Sequence, residues 1–255
     1  MCNYNNIVIF KKEGREVVMT KIEVKKLTKL YGQRKALDEI SLQFENGKIY
    51  GLLGSNGAGK TTLINIITNR AFATSGEVLV DDLPVQENEV VQGKIFCITE
   101  KGNYPSNLKV KDLFVWEKRF HPKFDIDYAN ELAMKFDLDV NSRLKSLSTG
   151  YVTIAKVVLT IASNAEIMIL DEPVLGIDSL YREIFYDVLL EHHKEKKNLV
   201  IITTHLISEV ERVLEKVVII SKGKVLENRN VKDLTSKGEG LNEVYVRLLR
   251  ETKNG

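Results

Sequence analysis

The sequence predicts an α/β fold in which a largely parallel sheet carries an antiparallel β subdomain and an inserted helical lobe. Two observations lead to this prediction. Short apolar runs alternate with longer amphipathic stretches along the 255 residues, a pattern typical of parallel strands joined by helices. The early runs also alternate in polarity, whereas the later ones are almost continuously apolar, which distinguishes half-buried strands from strands covered on both faces.

The predicted strands fall into two groups. The early ones, at Lys21–Leu27, Leu42–Phe44 and Gly76–Val80, are half-buried, and we expect them to pair in an antiparallel sheet. The later ones are apolar throughout, as parallel strands inside an α/β domain are. They are predicted at Ile49–Leu53, Ile95–Thr99, Ile167–Leu170, Val200–Thr203 and Val217–Ile220.

The helical lobe is predicted at about residues 104–163. Within it, Tyr128, Leu132 and Phe136 follow one another at the spacing that places them on one face of a helix. Because strands are predicted on both sides of this stretch, we expect the lobe to be an insertion into a single domain that spans residues 19–230.

The remaining segments carry less pattern. Residues 1–18 fit none of the elements that follow, and are either an N-terminal extension without fixed structure or the result of a start assigned upstream of Met19. Residues 231–255 are interpreted as a C-terminal tail. The charged run at residues 191–197 is interpreted as the solvated end of a helix, with lysines that suit its C-terminal dipole.

Composition excludes several classes of protein. The formal charge of +2 is too small to indicate a nucleic-acid partner. The two cysteines, Cys2 and Cys97, form neither a disulfide framework nor a paired metal motif. No apolar run approaches the ~20 residues that a membrane-spanning helix needs, so any channel would have to be supplied by another chain.

A phosphate-binding motif follows the strand at Ile49–Leu53. The glycines of such a loop let backbone N–H groups turn toward a phosphate, and the helix that opens at Thr62 adds its positive end. Lys60 is expected to reach the β- and γ-phosphates and the Thr61 hydroxyl to bind Mg²⁺. The fold prediction therefore becomes a P-loop NTPase core. The motif comprises Gly54, Ser55, Asn56, Gly57, Ala58, Gly59, Lys60 and Thr61.

A second motif completes the catalytic half of this site. The apolar strand at Ile167–Leu170 ends in two adjacent carboxylates, Asp171 and Glu172. Asp171 is expected to hold Mg²⁺ through water, and Glu172 to polarise the water that attacks the γ-phosphate.

With these two motifs the sequence resembles the ABC-type ATPases from about Lys21 to Glu227. Further residues follow in the order typical of that family. They are Tyr31 at the position of the adenine-stacking aromatic ring, Glu100 at the loop that usually carries glutamine, Leu147-Ser148-Thr149-Gly150-Tyr151 at the signature, Gly176-Ile177-Asp178 at the D-loop and His205 at the switch histidine.

The resemblance implies a mechanism that works between two subunits. Two ATP molecules with Mg²⁺ would lie between ATP-binding subunits arranged head to tail, either as a homodimer or as a heterodimer. Ser148 and Gly150 of one subunit would close over the nucleotide held by the other, and His205 would contact the γ-phosphate. Thr61, Asp171 and Glu100 would surround the metal. The helical lobe would pass the motion to an integral membrane permease, which would place this cytoplasmic chain on the inner face of the cell membrane.

The signature departs from the family pattern at two positions. Thr149 stands where the family has glycine and Tyr151 where it has glutamine; a positive φ at position 149 would cost Thr more than Gly. These variants and the short tail resemble export ATPases for drugs or antimicrobial peptides. The alternatives are a soluble ABC ATPase of translation or DNA repair and a module that binds ATP without hydrolysing it. A soluble ABC ATPase usually has a second nucleotide domain or a long coiled coil. A module that only binds ATP would have lost Lys60 or Glu172.

Overall fold

The structure is a computed structural model that describes residues 10–12, 15–17, 20–99, 104–236 and 238–254. Its strands are β1 (Phe10–Lys12), β2 (Arg15–Val17), β3 (Lys21–Tyr31), β4 (Arg34–Glu45), β5 (Ile49–Leu53), β6 (Ser75–Val80), β7 (Leu83–Pro84), β8 (Ile95–Ile98), β9 (Ile167–Asp171), β10 (Leu199–Thr203), β11 (Lys216–Ser221) and β12 (Lys224–Asn230). Its helices are α1 (Lys60–Ile67), α2 (Glu89–Gln92), α3 (Val110–Phe120), α4 (Ile126–Lys135), α5 (Thr149–Ala162), α6 (Ser179–Lys196), α7 (Ile207–Val210), α8 (Val231–Leu234) and α9 (Leu241–Asn254). Short 3₁₀ turns lie at Leu144–Ser146 and Glu211–Val213.

The central sheet has the strand order β12-β11-β5-β10-β9-β8. Strands β11, β5, β10, β9 and β8 run parallel, and β12 joins the edge antiparallel to β11. Every residue of β5 and β10 is buried. Continuous burial explains why these strands appear in the sequence as unbroken apolar runs, since both faces of the sheet are covered.

The second sheet is antiparallel, with the order β4-β3-β6-β7. Strand β3 is longer than the alternating segment of the sequence predicts, and it extends to Tyr31. The side chains of β3 alternate between buried and partly exposed over its first half, which confirms the predicted half-buried character. The predicted fold, a P-loop-type α/β core with an antiparallel subdomain and a helical lobe, is thus confirmed.

Two hydrophobic cores meet at the central sheet. Ile49 and Leu53 of β5 face the core that α3, α4 and α5 complete. Tyr50 and Leu52, on the opposite face, belong to the core shared with α1 and the antiparallel sheet. Because successive side chains of a strand point to opposite faces, β5 is anchored from both sides, and the loop that leaves its carboxyl end is held rigidly.

The charged run at residues 191–197 is more than the solvated helix end that the sequence predicts. It does close α6, and Lys194 and Lys196 lie in the last turn. His192 and His193, however, are buried, at 2% and 7% exposure. His193 Nδ1 lies 3.2 Å from Oδ1 of Asn198, and His192 stacks on Tyr128 of the helical lobe with ring centroids 6.1 Å apart. The two histidines continue the apolar face of α6, which the surrounding charges conceal in the sequence.

The terminal segments have structure that the sequence did not indicate. Strands β1 and β2, inside residues 1–18, pair with each other in antiparallel fashion; the other residues of that segment lie outside the described part of the chain. Within residues 231–255, helix α9 packs its Leu241 and Val244 into fully buried positions. Over the described residues, no helix is both long and apolar enough to cross a membrane.

Candidate nucleotide-binding site

The predicted phosphate-binding loop connects β5 to α1 and lines a cavity of about 300 Å³. Ser55 to Thr62 form its floor, and Tyr31 and Arg34, from the antiparallel sheet, form a wall. Tyr31 is 50% exposed, and Lys29 Nζ lies 5.0 Å from the centroid of its ring, so the opposite face of the ring can stack on a planar ligand. Arg34 was not singled out from the sequence; its Nη2 donates to the carbonyl oxygen of Gly57 at 3.5 Å, which brings a guanidinium to the rim.

Glycine is required at two positions of this loop. Gly59 has φ of 117° and would place a Cβ atom 2.8 Å from the carbonyl oxygen of Ala36. Gly54 would place one 2.4 Å from the carbonyl oxygen of Ile220. The backbone at Gly59 immediately precedes α1, which has no side-chain cap on its first N–H groups. Uncapped N–H donors at a helix N-terminus form a ready site for phosphate.

Lys60 is held within the loop. Its Nζ donates to the carbonyl oxygens of Gly54 at 2.6 Å and Ser55 at 3.3 Å. Burial lowers the pKa of the Lys60 ammonium below its usual range, while the carboxylates of Glu172 and Asp171 act in the opposite direction. The cation is therefore partly desolvated, which strengthens its attraction for an anion that enters the cavity.

The two carboxylates lie at the carboxyl end of the sheet. Asp171 ends β9 opposite Thr203 of β10 in the parallel register, and the Thr203 hydroxyl donates a short hydrogen bond to Asp171 Oδ1. Glu172 has φ of 51°, and its amide donates to the carbonyl oxygen of Thr203 at 2.9 Å. This unusual backbone turns the Glu172 side chain away from the line of the strand.

Glu172 is held by two partners. Thr204 Oγ1 donates to its Oε2 at 3.1 Å, and Nδ1 of His205 lies 2.9 Å from its Oε1. Thr203 and Thr204 were not identified from the sequence, although their position at the end of the neighbouring strand was a usable signal. The arrangement fixes a carboxylate beside an exposed imidazole, a pair that can accept and hold a proton.

The fit of Mg²⁺ can be judged from the donors at this edge. The Thr61 hydroxyl lies in the first turn of α1, and the Asp171 carboxylate ends β9. A hydroxyl and a carboxylate, completed by phosphate oxygens and water, form the kind of donor set that Mg²⁺ prefers. Glu100, the third predicted metal ligand, lies outside the described residues.

The signature residues form the start of α5, apart from the loop that holds Lys60. Ser148 caps the helix, and its Oγ accepts a hydrogen bond from the amide of Tyr151 at 3.3 Å. Thr149 is the first residue of the helix, so position 149 needs no positive φ. A Cβ atom at Gly150 would lie 2.4 Å from the carbonyl oxygen of Gly176. The requirement for glycine at position 150 is therefore a close backbone contact.

Neither Ser148 nor Gly150 lines the cavity of the phosphate-binding loop, within the part of the chain that the structure describes. The signature end of α5 instead contacts the loop after Glu172. Thr153 Oγ1 donates to the carbonyl oxygen of Leu175 at 3.1 Å. Asp178, predicted as both cap and D-loop residue, caps α6, and its Oδ1 accepts from the amide of Tyr181 at 3.2 Å.

Comparison with known proteins agrees with these features. Residues 37–175 match the family model described as ABC transporter. YtrB, an ABC transporter ATP-binding protein of Bacillus subtilis (strain 168), is 30% identical over 227 residues, which cover 89% of this chain and 75% of YtrB. The bacitracin transport ATP-binding protein BcrA of Bacillus licheniformis is 29% identical over 213 residues, which cover 82% of this chain and 69% of BcrA.

A solved structure extends the comparison to the fold. The dimeric post-hydrolysis structure of the ATP-binding cassette MJ0796, bound to ADP and Pi, superposes with a TM-score of 0.74 at 22% identity. The match covers 82% of this chain and 98% of that one. The matched family model spans more than half of the 255 residues. The chain therefore belongs to the ABC transporter family, and within it to the ATP-binding proteins.

Proposed function

We propose that this chain is the ATP-hydrolysing subunit of an ABC transporter, and that it works as a dimer with a separate membrane permease. The observation that supports the enzymatic part most directly is the contact between Glu172 and His205 at the same sheet edge as the uncapped start of α1. A general base beside a phosphate-binding loop is the arrangement that hydrolysis of a nucleoside triphosphate requires.

In the proposed reaction, Tyr31 stacks on the adenine ring, and the backbone from Gly54 to Thr62 holds the phosphates. Lys60 moves from the carbonyls of Gly54 and Ser55 to the β- and γ-phosphates. Thr61 and Asp171 would hold Mg²⁺, which would supply charge neutralisation to those phosphates.

Glu172 accepts a proton from the attacking water. The oxygen of that water bonds to the γ-phosphorus, and the bond to the oxygen that bridges the β- and γ-phosphates breaks, so that the products are ADP and inorganic phosphate. His205 holds the Glu172 side chain in place and contacts the γ-phosphate. Each of these roles requires a polar group to be fixed before the substrate arrives, which limits the reorganisation needed during the reaction.

The second subunit would supply Ser148 and Gly150. In a single chain these residues lie apart from the loop of Lys60, so the γ-phosphate shell is incomplete without a partner. A hydroxyl and the free amides at the start of α5 are suitable donors for that shell. Whether the second subunit is a copy of this chain or a different ATPase, the same residues would face the nucleotide.

A permease is proposed as the further partner, with export as the direction. The helical lobe exposes apolar side chains on α3: Val115 is 50%, Trp116 36% and Phe120 65% exposed. Exposed aromatic residues at one site often mark a protein interface. Export is proposed from the resemblance of the signature variants to export ATPases, and the name of the relative BcrA links that protein to bacitracin transport. The chain would then lie on the inner face of the cell membrane.

The test is co-purification from detergent-solubilised membranes. The tagged chain should retain a polytopic membrane protein, and replacement of both Trp116 and Phe120 by serine should abolish that association while leaving ATP binding intact. Val90→Ser is the matched control, because Val90 is 68% exposed on α2. ATP hydrolysis by a chain that associates with no membrane protein would favour the soluble alternative.

A further inference from the structure

Helices α5 and α6 begin side by side and are capped in the same way. Ser148 caps α5 through the amide of Tyr151, and Asp178 caps α6 through the amide of Tyr181. Each tyrosine is therefore the third residue of its helix, and its backbone is tied to the cap. The first of these caps, Ser148, belongs to the motif that the proposed function places at the contact between two subunits.

The hydroxyl groups of these two tyrosines meet. Tyr151 Oη and Tyr181 Oη lie 3.3 Å apart, and the ring centroids are separated by 6.0 Å. Tyr181 Oη also donates to Oδ2 of Asp137 at 3.0 Å. Because a phenol has one proton, and Tyr181 uses its proton on Asp137, Tyr151 must be the donor to Tyr181. The chain of hydrogen bonds thus runs from the signature helix through α6 to Asp137, the second residue after α4.

The surroundings make this chain a rigid link. Asp137 follows Phe136, whose side chain is fully buried and whose ring lies 6.3 Å from that of Tyr181. The hydrogen bonds with Tyr151 and Asp137 raise the pKa of Tyr181 above its ordinary value, so this phenol stays protonated. Helix α5 also has a backbone contact beneath the link, where Gly150 meets Gly176 without room for a Cβ atom.

A single contact would allow α5 to rotate about that contact, whereas two contacts fix the direction of the helix. The Gly150 contact sets how closely the start of α5 approaches the loop after Glu172. The hydrogen bond of Tyr151 lies on the residue next to Gly150 and sets the orientation of the first turn of α5, which Ser148 caps. Tyr181 itself does not line the cavity of the phosphate-binding loop.

We propose that Tyr181 is a positioning residue that, through Tyr151 and Asp137, holds the signature turn of α5 and the cap of α6 in one orientation toward the nucleotide of a partner subunit. This inference rests on the proposed shared site. It assigns to Tyr151, which stands where the family has glutamine, a contact within its own subunit.

The experiment compares Tyr181→Phe and Tyr151→Phe, which remove only hydroxyl groups, with the full-length wild type. Hydrogen exchange is measured on the nucleotide-free chain over residues 148–155, and kcat and KM for ATP are measured separately. Loss of one hydrogen bond should speed exchange of the first bonded amide of α5 on the order of fivefold. We expect kcat to fall by a similar factor, with KM unchanged, because the subunit's own nucleotide contacts are untouched.

Two comparisons separate positioning from a general loss of stability. The double variant should be no worse than Tyr181→Phe alone, because that substitution already removes both hydrogen bonds of the chain. Asp137→Asn keeps an acceptor oxygen and should retain exchange and kcat near wild type, whereas Asp137→Ala should not. Tyr128→Phe is the matched control, since the Tyr128 hydroxyl makes no hydrogen bond within the described residues.

The outcomes distinguish this proposal from the proposed function. Unchanged exchange and unchanged kcat in both tyrosine variants would overturn the positioning role while leaving the shared site intact. A rise in KM in place of a fall in kcat would also overturn it, because the effect would then lie in the subunit's own nucleotide contacts. If Glu172→Gln does not dimerise with MgATP, the shared site itself is contradicted. The proposed orientation of the signature turn toward a partner's nucleotide then also fails, even if hydrogen exchange responds to Tyr181→Phe.

Discussion

Nδ1 of His205 lies 2.9 Å from Oε1 of Glu172, which connects the residues that follow two neighbouring parallel strands. The contact restrains the carboxylate on one side, and the Thr204 hydroxyl restrains it on the other. His205 is exposed, whereas the Glu172 side chain is only 17% exposed. The imidazole therefore remains accessible to solvent while it orients the carboxylate.

Replacement of His205 tests that orienting role. His205→Ala should lower kcat for ATP hydrolysis by roughly 100-fold, in line with the contribution of a positioned acid–base group, while the affinity for MgATP changes little. Steady-state kinetics and equilibrium binding of a fluorescent ATP analogue measure the two quantities. An unchanged kcat would mean that Glu172 keeps its position without His205.

Lys60→Ala tests the phosphate-binding loop. The substitution removes a partly desolvated cation that now bonds to the carbonyls of Gly54 and Ser55. Loss of charge-assisted contacts to phosphate should weaken MgATP binding by about 100-fold, which abolishes tight binding. Lys194→Ala, on the last turn of α6, is the control and should bind as the wild type does. Equal affinities in isothermal titration would remove Lys60 from the site.

Gly150→Ala tests the close contact between the signature helix and the loop after Glu172. The new Cβ atom would lie 2.4 Å from the carbonyl oxygen of Gly176, so one backbone must move. We expect the free energy of unfolding to fall by about 1–3 kcal/mol and ATP-dependent dimerisation to weaken. Gly240→Ala is the matched control, since its nearest neighbour would be 3.8 Å away. Equal behaviour of the two variants in urea unfolding would contradict the contact.

The difference between sequence and structure has a physical reason at each site. The phosphate-binding loop and the strands were predictable because their information is local: glycine spacing, apolar runs and the carboxylates that end β9. The Tyr151–Tyr181–Asp137 chain was not, because its members are 30 and 44 residues apart and meet only through the packing of three helices. Thr149 was misleading for another reason, since the glycine it replaces need not supply a positive φ here.

The burial of the α6 histidines was likewise not predictable from the local sequence, and it affects the stability of the fold. Burial lowers the pKa of His192 to about 4, and its Nε2 atom is buried without a hydrogen-bond partner among the described residues. The unfolded chain, with a His pKa of about 6.5, therefore binds a proton at pH 5 that the folded chain does not. Stability contributed by neutral His192 is present above pH 6.5 and is lost as the pH falls toward 4.

This linkage gives a measurable prediction. Between pH 7 and pH 5, His192 should account for a loss of about 2 kcal/mol in the free energy of unfolding. His192→Phe keeps a ring that can stack on Tyr128 and should reduce the loss by that amount. Urea unfolding at the two pH values provides the test, and identical losses in wild type and His192→Phe would contradict a buried neutral His192.

We propose that Glu172 is the general base of a site shared by two subunits. Glu172→Gln keeps the size of the side chain and its ability to hydrogen-bond to Thr204 and His205, but removes its basicity. Hydrolysis should fall by about 10²–10⁴-fold while ATP binding survives. The unhydrolysed nucleotide should then hold two subunits together through Ser148 and Gly150.

The most direct measurement is size-exclusion chromatography with light scattering on Glu172→Gln, with MgATP, with MgADP and without nucleotide. The measurement is repeated in the presence of any ATPase or permease chain that a neighbouring gene encodes, since the second subunit need not be a copy of this one. We expect a dimer with MgATP and a monomer with MgADP. A variant that hydrolyses ATP at the wild-type rate, or one that binds ATP and stays monomeric with every partner, would contradict this proposal.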